Sequence, residues 1–352
     1  MTSNERFKRM FEHREADRIP VIDSAALATL ERWRREGLGE NVDWGDFFGL
    51  DRVAQVCVDN SPRYPEKTVE ETADYVVRTT CWGSTVKQWK RGGRCPEFLN
   101  YTVTDPAAWH KARALMKPTH NRVDWDCLRE DYARWRSEGR WIVAVLAFGF
   151  DVTQTWMVGT EPFMMALIEQ PEWCADMFSH FLDINLALLE KVWEAGYYFD
   201  AVAWADDLGY RSAQFMPVGM YRELLRPVQQ RACQWARRKG AKVMLHSSGD
   251  VRPFIPDFLE IGVDGLQPLE VKAGMDPVAL KREYGDRLVL AGGINAALWG
   301  DLPALEAQMT RVIPAVKAGG GYIFSSDDCV PPTVGLEDFR RIAGLAKKLG
   351  AY

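Results

Sequence analysis

The chain has 352 residues, 47% of them hydrophobic and 26% charged, a balance that predicts a folded protein with a sizeable core and excludes a disordered one. Lysine and arginine total 44 against 49 acidic residues, and the net charge of -5 is spread along the sequence, so no basic segment suggests nucleic acid as a partner. No apolar stretch approaches the roughly 20 residues that span a bilayer, and the polar start lacks the apolar segment of a signal peptide. We therefore expect a soluble cytoplasmic protein without membrane contact, either a monomer or a homodimer.

Short runs rich in β-branched residues recur along the chain, and each ends in a polar or glycine-containing break followed by a helical pattern. The clearest helix has apolar residues at steps of three and four from Trp173 to Val192 and ends at Gly196. Alternating strands and helices predict a parallel sheet, because parallel neighbours need crossover connections. Eight such units predict a (β/α)8 TIM barrel, for which about 250 residues is typical, with an open doubly wound sheet as the alternative fold. The eight predicted strands are 18–23, 52–58, 141–148, 199–205, 241–246, 263–268, 287–291 and 321–325.

Residues 60–135 interrupt this alternation. The segments "DYVVRTT", "STVKQWK" and "EFLNYTV" are typical of antiparallel strands joined by glycine-containing turns, and "DPAAWHKARALM" is typical of a helix that starts at a proline. We assign the region to an antiparallel β insertion after the second strand, where it would cover or flank the barrel mouth. The whole chain, residues 1–352, is then a single domain.

Polar residues follow nearly every predicted strand. In a barrel, side chains at the carboxyl ends of the strands point into the mouth, where the active sites of characterised barrel enzymes lie. An isolated acid at a strand end is often a helix cap, and Asp23 and Asp250 fit that interpretation. A ring of acids beside one histidine and one cysteine fits it less well and predicts a functional site. The ring comprises Asp23, Asp59, Asp151, Asp206, Asp207, His246, Glu270, Asn295, Asp327, Asp328 and Cys329.

The stretch "KVMLHSSGDV" places His246 where a buried strand becomes a polar loop. The histidine is either a core residue with both ring nitrogens hydrogen-bonded, or a metal ligand whose second nitrogen is fixed by a carboxylate. Ser248 and Gly249 favour the second interpretation, because a hydroxyl adds an adaptable hydrogen bond and a glycine lets the backbone approach a ligand. Cys329 is either a small buried hydrophobe or a thiolate ligand in a mouth loop.

Asp206 and Asp207 are consecutive, so strand alternation sends their side chains to opposite faces and only one of them should face the mouth. We favour Asp207 slightly. Trp204, which lies just before this pair, either walls a pocket or fills the core, as most tryptophans do.

Five segments carry a family resemblance: "ERFKRMFEHREADRIPV", "DDLGYRSAQFMPVGMYRELLRP", "KVMLHSSGDVRPFIPDFLEIGVDGLQPLE", "MDPVALKREYGDRLVLAGGI" and "SSDDCVPP". Together they resemble the uroporphyrinogen decarboxylase superfamily, which includes porphyrinogen decarboxylases and corrinoid-dependent methyltransferases acting on coenzyme M, chloromethane or aryl methyl ethers. The resemblance covers nearly the whole chain and implies a (β/α)8 barrel.

Two departures from the family patterns bear on activity. The decarboxylases hold their substrate carboxylates with an arginine-containing "RQAGRY"-like stretch, which the corresponding "DSAALATLERWRREG" lacks. The methyltransferases typically bind zinc through His-x-Cys-Gly and a later cysteine. Here His246 and Gly249 match, Ser248 replaces the cysteine, and Cys329 lies close to the later position. The resemblance thus implies zinc held by His246 and Cys329, with Glu270, Asp207 or Asp328 completing a harder site.

We predict an enzyme that transfers a methyl group from a small methylated molecule, such as an ether, to a cobalamin-type corrinoid. The corrinoid must arrive on a separate protein, because the chain has no Asp-x-His-x-x-Gly cobalt-ligand signature. Zinc would act as a Lewis acid at the leaving heteroatom, and a neighbouring acid would protonate it. The alternatives are a metal-free carboxy-lyase related to uroporphyrinogen decarboxylase and a non-catalytic binding barrel.

The predicted site residues fall into three groups. The catalytic acids are Asp207, Asp206 and Asp328; the substrate-binding residues are Asp151, Ser248, Asn295 and Trp204; the metal ligands are His246, Cys329 and Glu270.

Overall fold

A computed structural model describes residues 1–90, 96–211 and 213–352 of the chain. The strands are β1 (Val53–Cys57), β2 (Thr68–Glu71), β3 (Tyr75–Thr79), β4 (Ser84–Trp89), β5 (Glu97–Tyr101), β6 (Trp141–Leu146), β7 (Ala201–Ala205), β8 (Gly209–Tyr210), β9 (Ala213–Gln214), β10 (Lys242–His246), β11 (Gly265–Gln267), β12 (Val289–Ala291) and β13 (Tyr322–Ile323). The α-helices are α1 (Ser3–Phe11), α2 (Leu27–Arg35), α3 (Trp44–Phe47), α4 (Pro106–Leu115), α5 (Trp125–Ser137), α6 (Phe150–Val152), α7 (Thr160–Glu169), α8 (Pro171–Glu194), α9 (Val218–Met220), α10 (Arg226–Arg238), α11 (Ile255–Ile261), α12 (Pro277–Tyr284), α13 (Leu302–Lys317) and α14 (Leu336–Gly350).

Seven parallel strands form one sheet in the order β1-β6-β7-β10-β11-β12-β13. The segment before β1 closes it: Val21 forms a parallel bridge with Phe324 after β13, and its carbonyl accepts a hydrogen bond from Asp51 N on the other side at 2.8 Å. The predicted (β/α)8 barrel is therefore confirmed. The predicted strand 18–23 contributes isolated bridges and no continuous ladder, because Pro20 has no N–H to donate.

The insertion after the second barrel segment is also confirmed. Strands β2 to β5 form a separate antiparallel sheet in that order, between β1 and β6 of the barrel. Three of its strands match the predicted segments. The fourth, β2, was not predicted, because its residues Thr68–Glu71 are all exposed and show no alternation of polar and apolar side chains.

The amino-terminal end of the barrel is covered by α1. Phe7 and Phe11 each stack on Trp141, the first residue of β6, with ring centroids 5.5 and 5.6 Å apart. Beside them the buried Asp51 carboxylate accepts hydrogen bonds from Arg6, Arg18 and the Val21 backbone. Among the described residues, no helix combines the length and hydropathy needed to cross a bilayer.

Candidate active site at the barrel mouth

A cavity of about 650 Å³ runs from the carboxyl ends of the barrel strands down the barrel axis. Its volume lies within the usual range for small-molecule sites. Of the residues predicted from strand ends and their loops, those that line it are Asp23, His246, Ser248, Asp327, Asp328 and Cys329.

His246 ends β10 and faces this cavity. Its ring Nε2 lies 3.7 Å from Oδ1 of Asp207, and the side chain is 36% exposed, so it is reachable from the mouth. Asp207 is held by the backbone N–H of Ser248, which donates to the same Oδ1 at 2.8 Å. The loop after β10 thus holds the Asp207 carboxylate beside His246, the last residue of that strand.

Asp151 belongs to the same group of charges. It lies in α6, directly before a π-helical segment, Thr153–Val158, and its Oδ1 accepts a hydrogen bond from Thr155 at 3.2 Å. Burial chiefly raises the pKa of Asp151, the nearby Asp207 charge raises it further, and His246 opposes the shift. Single π-helical turns are frequent at functional sites because they redirect side chains.

Asp206 points the other way. It is fully buried, and its two oxygens accept hydrogen bonds from Asp151 N at 3.0 Å and from the Gln229 side chain at 2.8 Å. Burial raises its pKa to about 8, against the effect of these donors. Asp206 therefore anchors the segment that carries Asp151 and does not reach the cavity.

Asp23 was interpreted from the sequence as a helix cap, and the structure places it elsewhere. Helix α2 is capped at Ala26 without a side-chain bond, whereas the Asp23 carboxyl faces the cavity. The hydroxyl of Ser326 donates to Asp23 Oδ1 at 2.6 Å, and Ser24 N donates at 2.9 Å. The carboxyl is open to the cavity but deep in the protein, and this burial raises its pKa to about 7.

The remaining predicted residues lie outside the cavity lining. The Glu270 carboxylate accepts a hydrogen bond from Gly249 N at 2.8 Å, and Asn295 accepts from Ala297 N at 3.0 Å as a helix cap. Trp204 is buried behind the barrel wall, with its ring 5.3 Å from that of Phe148.

The loops after these strands are held together by Asp327. Its two oxygens accept hydrogen bonds from Val271 N at 2.9 Å and from Ala296 N at 2.7 Å. The neighbouring Asp328 accepts from Cys329 N at 2.8 Å. The loops that follow β11, β12 and β13 are therefore joined through one carboxylate beneath the mouth.

Gly249 does not serve the purpose predicted for it. Its φ is +78°, and a Cβ there would lie 2.2 Å from the carbonyl carbon of Gly209. The close neighbour that requires a glycine is thus the backbone of β8, and no ligand needs to be invoked.

The predicted zinc ligands do not come together as a set. His246 and Cys329 line the same cavity, but Glu270 is engaged by the backbone of Gly249. Within residues 1–90, 96–211 and 213–352, no three His, Cys, Asp or Glu side chains are grouped closely enough to hold a metal ion. These residues therefore do not fit a zinc site.

Comparisons with known proteins identify the family. The sequence model described as uroporphyrinogen decarboxylase (URO-D) matches residues 2–349. A solved methyltransferase from Methanosarcina mazei is 16% identical, with a TM-score of 0.67 and coverage of 99% of both chains, which shows a shared fold. A psychrophilic glycoside hydrolase family 10 endo-β-1,4-xylanase is 13% identical over 67% of this chain and 83% of its own, with a TM-score of 0.38. No curated protein matches the sequence. Because the family model leaves out only the first residue and the last three, the chain belongs to the uroporphyrinogen decarboxylase family.

Proposed function

We propose that this chain catalyses methyl transfer from a small methylated molecule bound in the barrel cavity to a reduced corrinoid carried by a separate protein. The observation that carries the proposal is the cavity itself, with His246 at the end of β10 beside Asp207 and the Asp23 carboxyl in the cavity wall. The shared fold with a protein named as a methyltransferase and membership of the family support it.

The reaction needs a proton at the leaving atom. A reduced corrinoid supplies an electron pair that accepts the methyl group as a cation. The heteroatom keeps the electron pair of the broken carbon–heteroatom bond and must be protonated. Asp23 is the donor: its raised pKa keeps it protonated up to about pH 7, and it faces the cavity. Ser326 donates a hydrogen bond to the carboxylate that remains.

His246 and Asp207 act at the same end of the cavity. The Asp207 carboxylate lies within ion-pair distance of the ring and is held by Ser248 N, so the histidine has a fixed position at the mouth. There it binds the reacting end of the substrate. Its exposure leaves the mouth open to a partner docked over the carboxyl ends of the strands.

The experiment mixes the purified chain with cob(I)alamin as the methyl acceptor and with methanol, methylamine or 2-methoxyphenol as donors. We expect protein-dependent formation of methylcobalamin, followed by its absorption spectrum, with at least one donor. The variant His246→Ala should be slower by about 10²-fold or more. His110→Ala is the matched control, because His110 is exposed on α4 away from the cavity.

Two other results would overturn the proposal. Release of carbon dioxide from a porphyrinogen, with no methyl transfer, would favour the carboxy-lyase, and no turnover of either kind would favour a binding barrel. Stoichiometric zinc in the purified protein that is lost in His246→Ala would restore the metal-dependent mechanism predicted from the sequence.

A further inference from the structure

The barrel axis beneath His246 is open. In most barrels, branched side chains fill the interior in layers. Here the inward positions of β7, β11 and β12 carry very small residues: Ala201, Ala203, Gly265 and Ala291. The cavity passes Ala201, Ala203 and Ala291 and reaches Trp141 at the amino-terminal end.

Two glutamines face this interior space. Gln267 pairs in register with His246 on the adjacent strand, so the two side chains are neighbours on the inner face. Gln55 lies deeper in the barrel. The pairing of β1 with β6, β6 with β7 and β7 with β10 places Gln55 level with Lys242, which comes four residues before His246 on β10. Both line the cavity, and Gln55 is exposed to it. Neither carboxamide forms a hydrogen bond with another side chain or backbone group in the described part of the chain.

The walls between the two glutamines are apolar, formed by Val143, Val145, Met244 and Ile323 among others. The basic side chains that the lining includes, Arg52 and Arg140, lie at the amino-terminal end and both form ion pairs with Glu138. At the mouth the lining is acidic. An anion placed along the axis would lose its hydration and meet carboxylates, with none of the described lining cations left to compensate it.

We infer that the barrel interior below His246 is a binding subsite for the uncharged, hydroxyl-bearing end of the substrate, and that Gln55 and Gln267 determine this specificity. A carboxamide both donates and accepts hydrogen bonds, which matches a hydroxyl group that does the same. The apolar walls would pack against the body of the molecule and leave its methylated end at His246. This inference rests on the proposed function, which places the reacting, methylated end of the substrate at His246.

Three ligands that share one methoxy-substituted ring test the subsite: anisole, 4-methoxyphenol and 4-methoxybenzoate. Their affinities are measured by calorimetry on the purified chain without any corrinoid, so the result does not depend on methyl transfer. We expect 4-methoxyphenol to bind most tightly and 4-methoxybenzoate most weakly. Gln55→Leu should weaken 4-methoxyphenol roughly three- to tenfold, as expected for one uncharged hydrogen bond, and leave anisole unchanged.

Two variants complete the design. Ala203→Leu should block all three ligands by filling the axis, whereas Gln88→Leu, on strand β4 of the insertion, should change nothing. Thermal unfolding of each variant separates loss of binding from loss of folding. Tightest binding of the benzoate, equal binding of phenol and anisole, or no binding of any of the three would each overturn the inference. Methyl transfer with any of those results would leave the proposed function standing.

Discussion

The Asp23 carboxyl is an acid in the cavity wall with a pKa raised to about 7. In an unfolded chain this group would have a pKa near 3.8, whereas in the folded chain burial raises the pKa to about 7. Between these values the folded chain binds the extra proton, so ionisation of Asp23 destabilises the fold as pH rises from about 4 to 7. Burial of Asp23 therefore lowers the free energy of unfolding near neutral pH, and it also keeps this acid protonated at the working pH.

Replacing Asp23 by asparagine tests both consequences. The wild-type rate of methyl transfer should fall as pH rises through about 7, because the carboxyl loses the proton it donates. Asp23→Asn should lower kcat by about 10²-fold or more and remove that limb of the pH profile. The free energy of unfolding, measured with denaturant, should favour the variant over wild type more at pH 8 than at pH 4. Asp301→Asn is the control, because Asp301 is a helix cap remote from the cavity. An unchanged pH profile in Asp23→Asn would contradict the role of Asp23 as the proton donor.

Some residues of the cavity can be predicted from the sequence, whereas the roles of others depend on contacts between distant parts of the chain. His246, Ser248 and Cys329 follow from the rule that strand ends face the mouth, and they line the cavity. Asp23 follows from the same rule, but its partner Ser326 is 303 residues away, and no local pattern distinguishes it from a helix cap. The catalytic roles predicted for Asp207 and Asp328 stay predictions.

The loop after β10 depends on a close approach between two backbone segments. Gly249 packs against Gly209 of β8, and its N–H donates to Glu270 while Ser248 N donates to Asp207. The geometry of the loop thus determines where the carboxylate beside His246 lies. The sequence predicts a ligand beside this glycine instead, because the short β8–β9 hairpin next to the barrel has no recognisable strand pattern.

The variant Gly249→Ala measures that packing. Its Cβ would overlap the Gly209 backbone, and its φ of +78° is unfavourable for alanine, so we expect a loss of about 2 kcal/mol or more in the free energy of unfolding. Gly344→Ala is the matched control: Gly344 lies inside α14 with no atom near its would-be Cβ, so it should stabilise by about 0.5–1 kcal/mol. Equal effects of the two substitutions would contradict the close-packing explanation. Chemical denaturation checks both.

The insertion contacts the segment that carries Asp151. Phe98 of β5 packs edge-to-face on Trp156 of the π-helical turn with centroids 5.3 Å apart, and the Tyr101 hydroxyl donates to the Thr155 carbonyl at 3.2 Å. Three insertion strands were predictable from alternation and turn residues. Their docking on the π-helical turn was not, because aromatic contacts across 50 or more residues leave no periodic signal in the sequence.

One buried carboxylate joins the amino-terminal segments of the chain to the barrel just before β1. Asp51 has a fully buried side chain, and it accepts hydrogen bonds from two arginines and from Val21 N. Charged groups in such positions are stable only as a complete set, since each would otherwise remain buried and unpaired.

Asp51→Asn should therefore lower the free energy of unfolding by about 3 kcal/mol, because it removes the ion-pair partner of Arg18 and leaves Arg6 with Asp17 alone. The control is Asp286→Asn, which removes an exposed ion pair with Arg287 and should cost less than about 1 kcal/mol. Urea denaturation measures both; equal losses would show that the Asp51 cluster does not stabilise the junction.

The architecture was predictable because strand and helix patterns alternate over most of the chain, and eight such units fit one closed topology. How the ring closes was less evident, since Pro20 weakens the strand signal of the first segment.

Ring closure also has a consequence for biosynthesis. Ile22 N donates to the Phe324 carbonyl, and Phe324 N donates to the Pro20 carbonyl, so the groups that complete the ring are 302 and 304 residues apart. The first segment cannot meet its last neighbour until the chain has been synthesised as far as Phe324, and until then an incomplete sheet has two unpaired edges. Such edges recruit other chains, so a translation product stalled ahead of Phe324 is the form in which this protein would aggregate.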